Sequence, residues 1–243
     1  MDMLLTNAFW IGLGQIIIIN ILLSGDNAVV IALASRSLPP KQQKQAIIFG
    51  SVGAIVLRVI LTFFAVMLLD LPYLKIIGGA LLLWIGASML AADDGDPDLA
   101  GHSQMMAAIR TIIVADLVMS LDNVIGVAAA AKGNIVLLVL GLAISIPLII
   151  GGSQLLLKLM ERFPIIITGG AALLGWVAGE MFVTDKAISD WIEANAGYLH
   201  TLVPAACAVI VVVVGKWMAS RGAHEDEAGA ASGEAATTSE SAK

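Results

Sequence analysis

Residues 20–34 read NILLSGDNAVVIALA, and residues 116–130 read DLVMSLDNVIGVAAA. The phrases stand at a constant offset of 96 residues (116 − 20 = 96), which places Ser24, Asp26 and Asn27 on Ser120, Asp122 and Asn123. Each lies inside an apolar run of the length, about 20 residues, that crosses a bilayer as a helix. A charge at the centre of such a helix costs roughly 2.5 to 3.5 kcal/mol, so acids kept at equivalent places in an internal repeat point to a polar site within the bilayer.

Composition fixes the class of molecule. Apolar residues make up 59% of the 243 positions and charged residues 13%, with a mean hydropathy of +0.94, a balance that a water-exposed surface does not tolerate. The apolar runs are too long for outer-membrane barrel strands, which alternate in polarity over about ten residues. An all-α membrane protein is therefore expected, with candidate spans at about 8–34, 46–69, 72–91, 105–131, 134–157, 164–183 and 199–219. Pro39, Pro40, Pro72 and Pro164 fall at turns or helix starts, where a missing N–H does little harm.

The repeat extends beyond its signature. KIIGGALLLWIGASM from Lys75 matches IITGGAALLGWVAGEM from Ile166, so that Gly78 and Gly79 correspond to Gly169 and Gly170. Each unit then holds three spans, and an odd number inverts the second copy relative to the first. The expected architecture is seven transmembrane helices in a single domain over 1–219: repeat one at about 6–92, repeat two at about 104–183, and a seventh helix at about 199–219. Residues 220–243, rich in Ala, Gly, Ser and Glu, are expected to form a disordered acidic cytoplasmic tail.

Basic residues set the expected orientation. Arg36, Lys41, Lys44, Arg110, Lys158, Arg162, Lys216 and Arg221 fall on one side, against Lys75, Lys132 and Lys186 on the other. By the positive-inside rule the first side is cytoplasmic, which puts the N-terminus outside and the C-terminus inside a multi-pass plasma-membrane (cell inner membrane) protein. The first segment lacks a basic n-region and runs on beyond signal-peptide length, so it is expected to be retained. The net charge of −6, concentrated in the 93–98 loop and the tail, offers no basic surface for nucleic acid. Cys207, the only cysteine, rules out an internal disulfide and is expected to be a buried thiol.

Four acids, Asp26, Asp116, Asp122 and Glu180, fall in the apolar spans against one permanent cation, Arg58. Such a surplus must be protonated, paired or bound to a cation. Asn20, Ser24, Asn27, Gln15, Ser120, Asn123 and Gln154 supply neutral oxygens, whereas His102, His200 and His224 lie in a loop, at a span end and in the tail. Oxygen donors without imidazole or thiolate favour Mg, Ca or Mn over Zn or Cu. Met119 and Met181 would tilt that choice toward manganese if they ligated, although methionine ordinarily fills cores.

Positions 20, 24 and 27 share one helix face, as do 116, 120 and 123. With the copies antiparallel, Asp26 comes level with Asp116, and Asp122 with Asn20, in layers about 9 Å apart at 1.5 Å per residue. Gly25, which weakens a helix beside Asp26, marks a place where unwinding would free carbonyls for an ion; simple close packing is its other reading. Arg58, whose equivalent is Gln154, serves either as a structural ion pair or as a gate that swaps partners. Glu180 is either a rim residue or a further ligand or proton acceptor. Because desolvation and a bound cation pull a carboxyl group in opposite directions, cation release can couple to proton uptake.

The twin phrases SGDNAVVIALA and SLDNVIGVAAA, with GAIVLR around Arg58, resemble the TerC family of integral membrane proteins, in particular its small YjbE-type members, over residues 6–219. That resemblance implies a seven-helix exporter of a divalent metal, manganese above all, related to LysE-type exporters. It implies Asp26, Asn27, Asp122 and Asn123 as metal ligands, with Asn20 and Asp116 as the polar residues preceding them; the reading of the residues themselves adds Ser24, Ser120, Arg58 and Glu180 as supporting or gating groups. The metal would be transported substrate, with no prosthetic group, and the expected partners are the lipid bilayer, the divalent ion and a second copy in a homo-oligomer. Two other readings stay open: an exporter of an amino acid or small organic solute, for which Arg58 is the deep cation, and an intramembrane aspartyl-type hydrolase. Inverted symmetry suits a path open alternately to two sides better than a fixed catalytic cleft, so the expectation is a transporter, not an enzyme.

Overall fold

In the computed structural model, described over residues 7–22, 25–69, 71–91, 101–131 and 134–240, every regular element is an α-helix. Side chains are described over the same ranges apart from positions 7–8, 19–22, 65–69, 101–102, 122–126, 128–131, 135 and 222–240. The order is α1 (Asn7–Leu22), α2 (Gly25–Ser35), α3 (Pro40–Leu69), α4 (Leu74–Ala91), α5 (Gly101–Ala131), α6 (Ile135–Arg162), α7 (Ile165–Val183), α8 (Ser189–Asn195) and α9 (Leu199–Glu240). Among the described residues, six helices carry a stretch long and apolar enough to cross a membrane, at 40–64, 74–91, 103–121, 136–162, 165–183 and 199–221.

The difference from the seven spans expected lies at the first. Instead of one run over 8–34 there are two shorter apolar helices, with α1 ending at Leu22 and α2 starting at Gly25. The second copy of the motif stays inside one helix, α5. At the repeat offset, Gly25 corresponds to Leu121. Leucine is among the better helix formers and glycine costs about 1 kcal/mol relative to alanine, so the copy with glycine is the one that tolerates a helix boundary. Asp26 then falls in the first turn of α2, where the helix dipole favours a carboxylate.

Helical backbone in α9 runs on to Glu240, through the segment read from the sequence as an acidic tail. Alanine and glutamate are strong helix formers, and they extend the helix without an apolar face to bury.

The helices form two associated groups. α3 lies along α5, and a Cβ added at Gly50 or Gly53 would come within 2.9 Å of Ile112 or 2.7 Å of Ile113. In the same way α6 lies along α1 and α2, with Gly141 against Ile16. α4, α7 and α9 pack together, Gly175 resting on the backbone of Cys207 and Ala208. These approaches exist because nothing but hydrogen occupies the glycine side of the interface. Outward, Phe49, Val56 and Phe63 form one stripe down α3, each more than half exposed, an exterior suited to lipid.

One polar device organises the end of α7. Asp185, fully buried between α7 and α8, accepts backbone N–H bonds from Tyr73 (2.9 Å), Lys75 (3.0 Å), Ile76 (3.3 Å) and Ala187 (2.8 Å). It caps the first turn of α4 from another part of the chain, and Tyr73 turns into that helix through a left-handed φ of 68°. Burial opposes the charge of Asp185, but the bonds from Ala187, Tyr73, Ile76 and Lys75 outweigh it and hold the carboxyl below its ordinary range.

Candidate functional site

Among the described residues the two larger groups of buried apolar side chains form separate clusters. One cluster includes Val30 of α2, Ile47 of α3, Leu121 of α5 and Ile149 of α6. The other includes Ile16 of α1, Ile55 of α3, Val127 of α5 and Leu142 of α6. The seam between them falls between 16 of α1 and 30 of α2, and within α3 between 47 and 55, α5 between 121 and 127, and α6 between 142 and 149. Asp26 and Asn27 fall at this seam, while Asp116 and Ser120 stand beside it among Ala115, Val118, Met119 and Leu121 of the first cluster.

Arg58, 1% exposed, reaches from beyond Ile55 back to α5, where its guanidinium lies 2.5 Å from Asp116 Oδ1. Its Nε donates to Ser120 Oγ at 3.0 Å, and that hydroxyl donates to Asp116 Oδ2 at 3.0 Å. The three side chains close a ring in which both carboxylate oxygens are engaged. Asp116 and Ser120 stand one helical turn apart on α5, which is what allows the serine to bridge the acid and the arginine. A buried pair of this kind offsets its desolvation only when further hydrogen bonds complete it, as Ser120 does here.

Asp26 and Asn27 face the same region from α2. Asp26 is partly buried, lies within electrostatic reach of both Arg58 and Asp116, and accepts the Asn27 backbone N–H at 2.8 Å. Asn27 is 2% exposed, yet neither its Nδ2 nor its Oδ1 has a hydrogen-bond partner. A buried amide left unpaired costs about 1–3 kcal/mol per polar group, so its position calls for an explanation other than packing. The level pairing of Asp26 with Asp116 anticipated a layer of two acids; in the structure one of the two is already neutralised by Arg58.

The other predicted residues are placed as follows. The side chains of Asn20, Asp122 and Asn123, and the whole of Ser24, lie outside the described residues, although positions 20, 122 and 123 are helical. Glu180 is exposed on α7 and accepts the Trp176 indole N–H at 2.8 Å, one turn away on its own helix. Among the described residues no three acidic, histidine or cysteine side chains converge. A cation at this seam would thus be held by Asp26, by neutral oxygens such as that of Asn27, and by whatever the second motif adds.

Two residues went unnoticed in the sequence. Asp185 stood just past a span end and gave no periodic signal. Ser51, 2% exposed on α3 with an unpaired hydroxyl, looked like any small residue in an apolar helix.

The TerC integral membrane protein family model matches residues 5–223. The chain is 44% identical over 205 residues to the membrane protein YjbE of Bacillus subtilis, covering 84% of this chain and 94% of that one. It is 25% identical over 182 residues to YceF of the same organism, covering 71% and 70%, and 25% identical over 187 residues to YegH of Escherichia coli, covering 69% and 35%. No solved structure matches it. The chain belongs to the TerC family of integral membrane proteins.

Proposed function

We propose that this protein is a membrane transporter that exports a divalent cation, manganese being the substrate its donors suit best. The observation that carries the reading is Asn27: a buried amide without a partner, directly after an intramembrane carboxylate and close to the Arg58–Asp116 salt bridge. Hard oxygen donors around one uncommitted acid form a site for a hard or borderline cation. Asp26 and Asn27, with Asp122 and Asn123 of the second motif, are the ligands; Asn20 and Asp116 flank them.

Alternating access is supported by the packing pattern. α3 lies on α5 as α6 lies on α1 and α2; α4 touches α5 as α7 touches α2; and α4 and α7 pack on each other. A two-fold exchange of the halves carries each contact onto another, as two inverted three-helix repeats require, with α1 and α2 together acting as the first of seven spans. The basic end of the bundle faces the cytoplasm in this reading, and protons returning to the vacated carboxylates provide coupling.

The rival readings lose ground at Arg58. An organic solute would need that guanidinium for its carboxylate, and Asp116 and Ser120 already hold it. Hydrolysis by a pair of acids sharing a proton would need Asp116 free of its arginine, so the geometry favours a transporter over an enzyme.

The test is flux into proteoliposomes for Mn, Mg, Ca and Zn. Asp26→Asn and Asp122→Asn should each reduce manganese flux at least about tenfold, as loss of a ligating charge does elsewhere. Flux that survives both substitutions would refute the site.

A further inference from the structure

Every buried serine hydroxyl among the described residues has a hydrogen-bond partner, with one exception. Ser35, Ser145 and Ser153 each donate to the carbonyl four residues earlier, at 2.6, 2.9 and 2.8 Å, and Thr62 does so to Arg58 at 2.7 Å. This back-bond is available to any helical serine at little cost and satisfies its proton without a partner from elsewhere. Ser51 does not make it. Its Oγ is buried and unpaired, although the Ile47 carbonyl stands at the same spacing.

Ser51 also occupies a particular place. It lies midway between Ile47 of one apolar cluster and Ile55 of the other, at the seam where Asp26 and Asn27 fall on α2. Seven residues separate it from Arg58, so the two share the inward face of α3. The register of α2 and α3 is tied by Gln43 Nε2 donating to the Ser35 carbonyl at 3.4 Å. From that tie, eight residues lead up α3 to Ser51 and eight lead back up α2 to Asn27, about 12 Å on each helix, which brings the two unpaired groups to one depth.

We infer that Ser51 contributes its hydroxyl oxygen to the cation site formed by Asp26 and Asn27, making α3 a third wall of that site alongside the two motif helices. The inference rests on the proposed function and adds a residue outside the duplicated motif. Ser51 is a neutral, hard donor, and hardness is the property by which it would discriminate among divalent ions: replacing its oxygen by sulfur changes which metals it suits, whereas deleting it does not.

The experiment uses the full chain in proteoliposomes with Cys207→Ala as background, so that any introduced thiol is alone. Ser51→Ala should raise the KM for manganese by about tenfold, in the range seen for lost supporting groups at metal sites, while Ser51→Thr keeps the hydroxyl and the parental KM. Ser51→Cys should make manganese flux sensitive to cadmium at about tenfold lower concentration than either Ser51→Ala or the background, since thiolate prefers the softer ion. If Ser51→Cys responds to cadmium as Ser51→Ala does, the hydroxyl does not meet the ion and the assignment of Ser51 is overturned. That failure differs from failure of the transport reading, which would show as manganese flux untouched by Asp26→Asn.

Discussion

At and beside the seam, two polar groupings differ in one respect. Arg58, Asp116 and Ser120 engage one another: a charge pair, two further hydrogen bonds, and near-total burial. Asn27 and Ser51 are buried to the same degree and satisfy nothing. Desolvation penalises both groupings, so the first is arranged to hold the bundle together and the second is arranged to wait for something. Polarity inside a membrane protein therefore does not by itself indicate a ligand site; incompleteness does.

The sharpest way to break this contrast is to remove one member of the closed ring. Arg58→Met leaves Asp116 buried without its cation and should lower stability by about 3–5 kcal/mol, read as a drop in thermal unfolding midpoint in detergent. The double variant Arg58→Met with Asp116→Leu removes both charges and should recover most of that loss, as paired replacement of buried ions commonly does. If the double variant is as unstable as the single one, Arg58 holds some group more important than Asp116.

Asp185 offers a third case on the same scale, closed like the Arg58 ring but outside the spans. Asp185→Ala strands the backbone N–H groups of Tyr73, Lys75 and Ile76 and should cost about 1–2 kcal/mol, the usual range for a lost helix cap. Its folded-state carboxyl is depressed below the ordinary value of 3.8, so its contribution is fully present above that value and disappears as pH falls through the lower folded one. Unfolding midpoints measured against pH should show an acid-side decline in the parent that is shallower in Asp185→Ala. Parallel curves would mean that the cap carries no titrating charge.

What could be read in advance, and what could not, follows from the same distinction. Asp26, Asp116 and Arg58 were conspicuous because charge in a long apolar run has few explanations, and the duplicated phrase tied Asn27 and Ser120 to them. The helical class and the family were legible for the same reason. Which acid Arg58 meets was not: a long side chain spans more than a turn, and its partner depends on the register of α3 against α5, set by Gly50 and Gly53 closing on Ile112 and Ile113. The split of the first span was visible only as Gly25 standing where the second copy has Leu121. Ser51 was beyond reach, because a lone serine in a helix normally back-bonds, and only coordinates reveal one that does not. Asp185 caps a helix more than a hundred residues away in sequence, a relation that no local pattern encodes.

The smallest effect on stability should come from the residue that matters most to the site. Asn27→Leu replaces an unpaired amide by an apolar group of similar size within a buried layer. The side chain has no hydrogen bond to lose, and the substitution removes two unsatisfied polar atoms. Stability should therefore stay level or rise, by about 1 kcal/mol at most, since the leucine must still fit where Ala28 and Val30 are already packed. Manganese flux should nonetheless fall as far as it does in Asp26→Asn. A loss of stability comparable to that of Arg58→Met would show that Asn27 has a structural partner after all, and the contrast between a closed and a waiting grouping would collapse at its most exposed point.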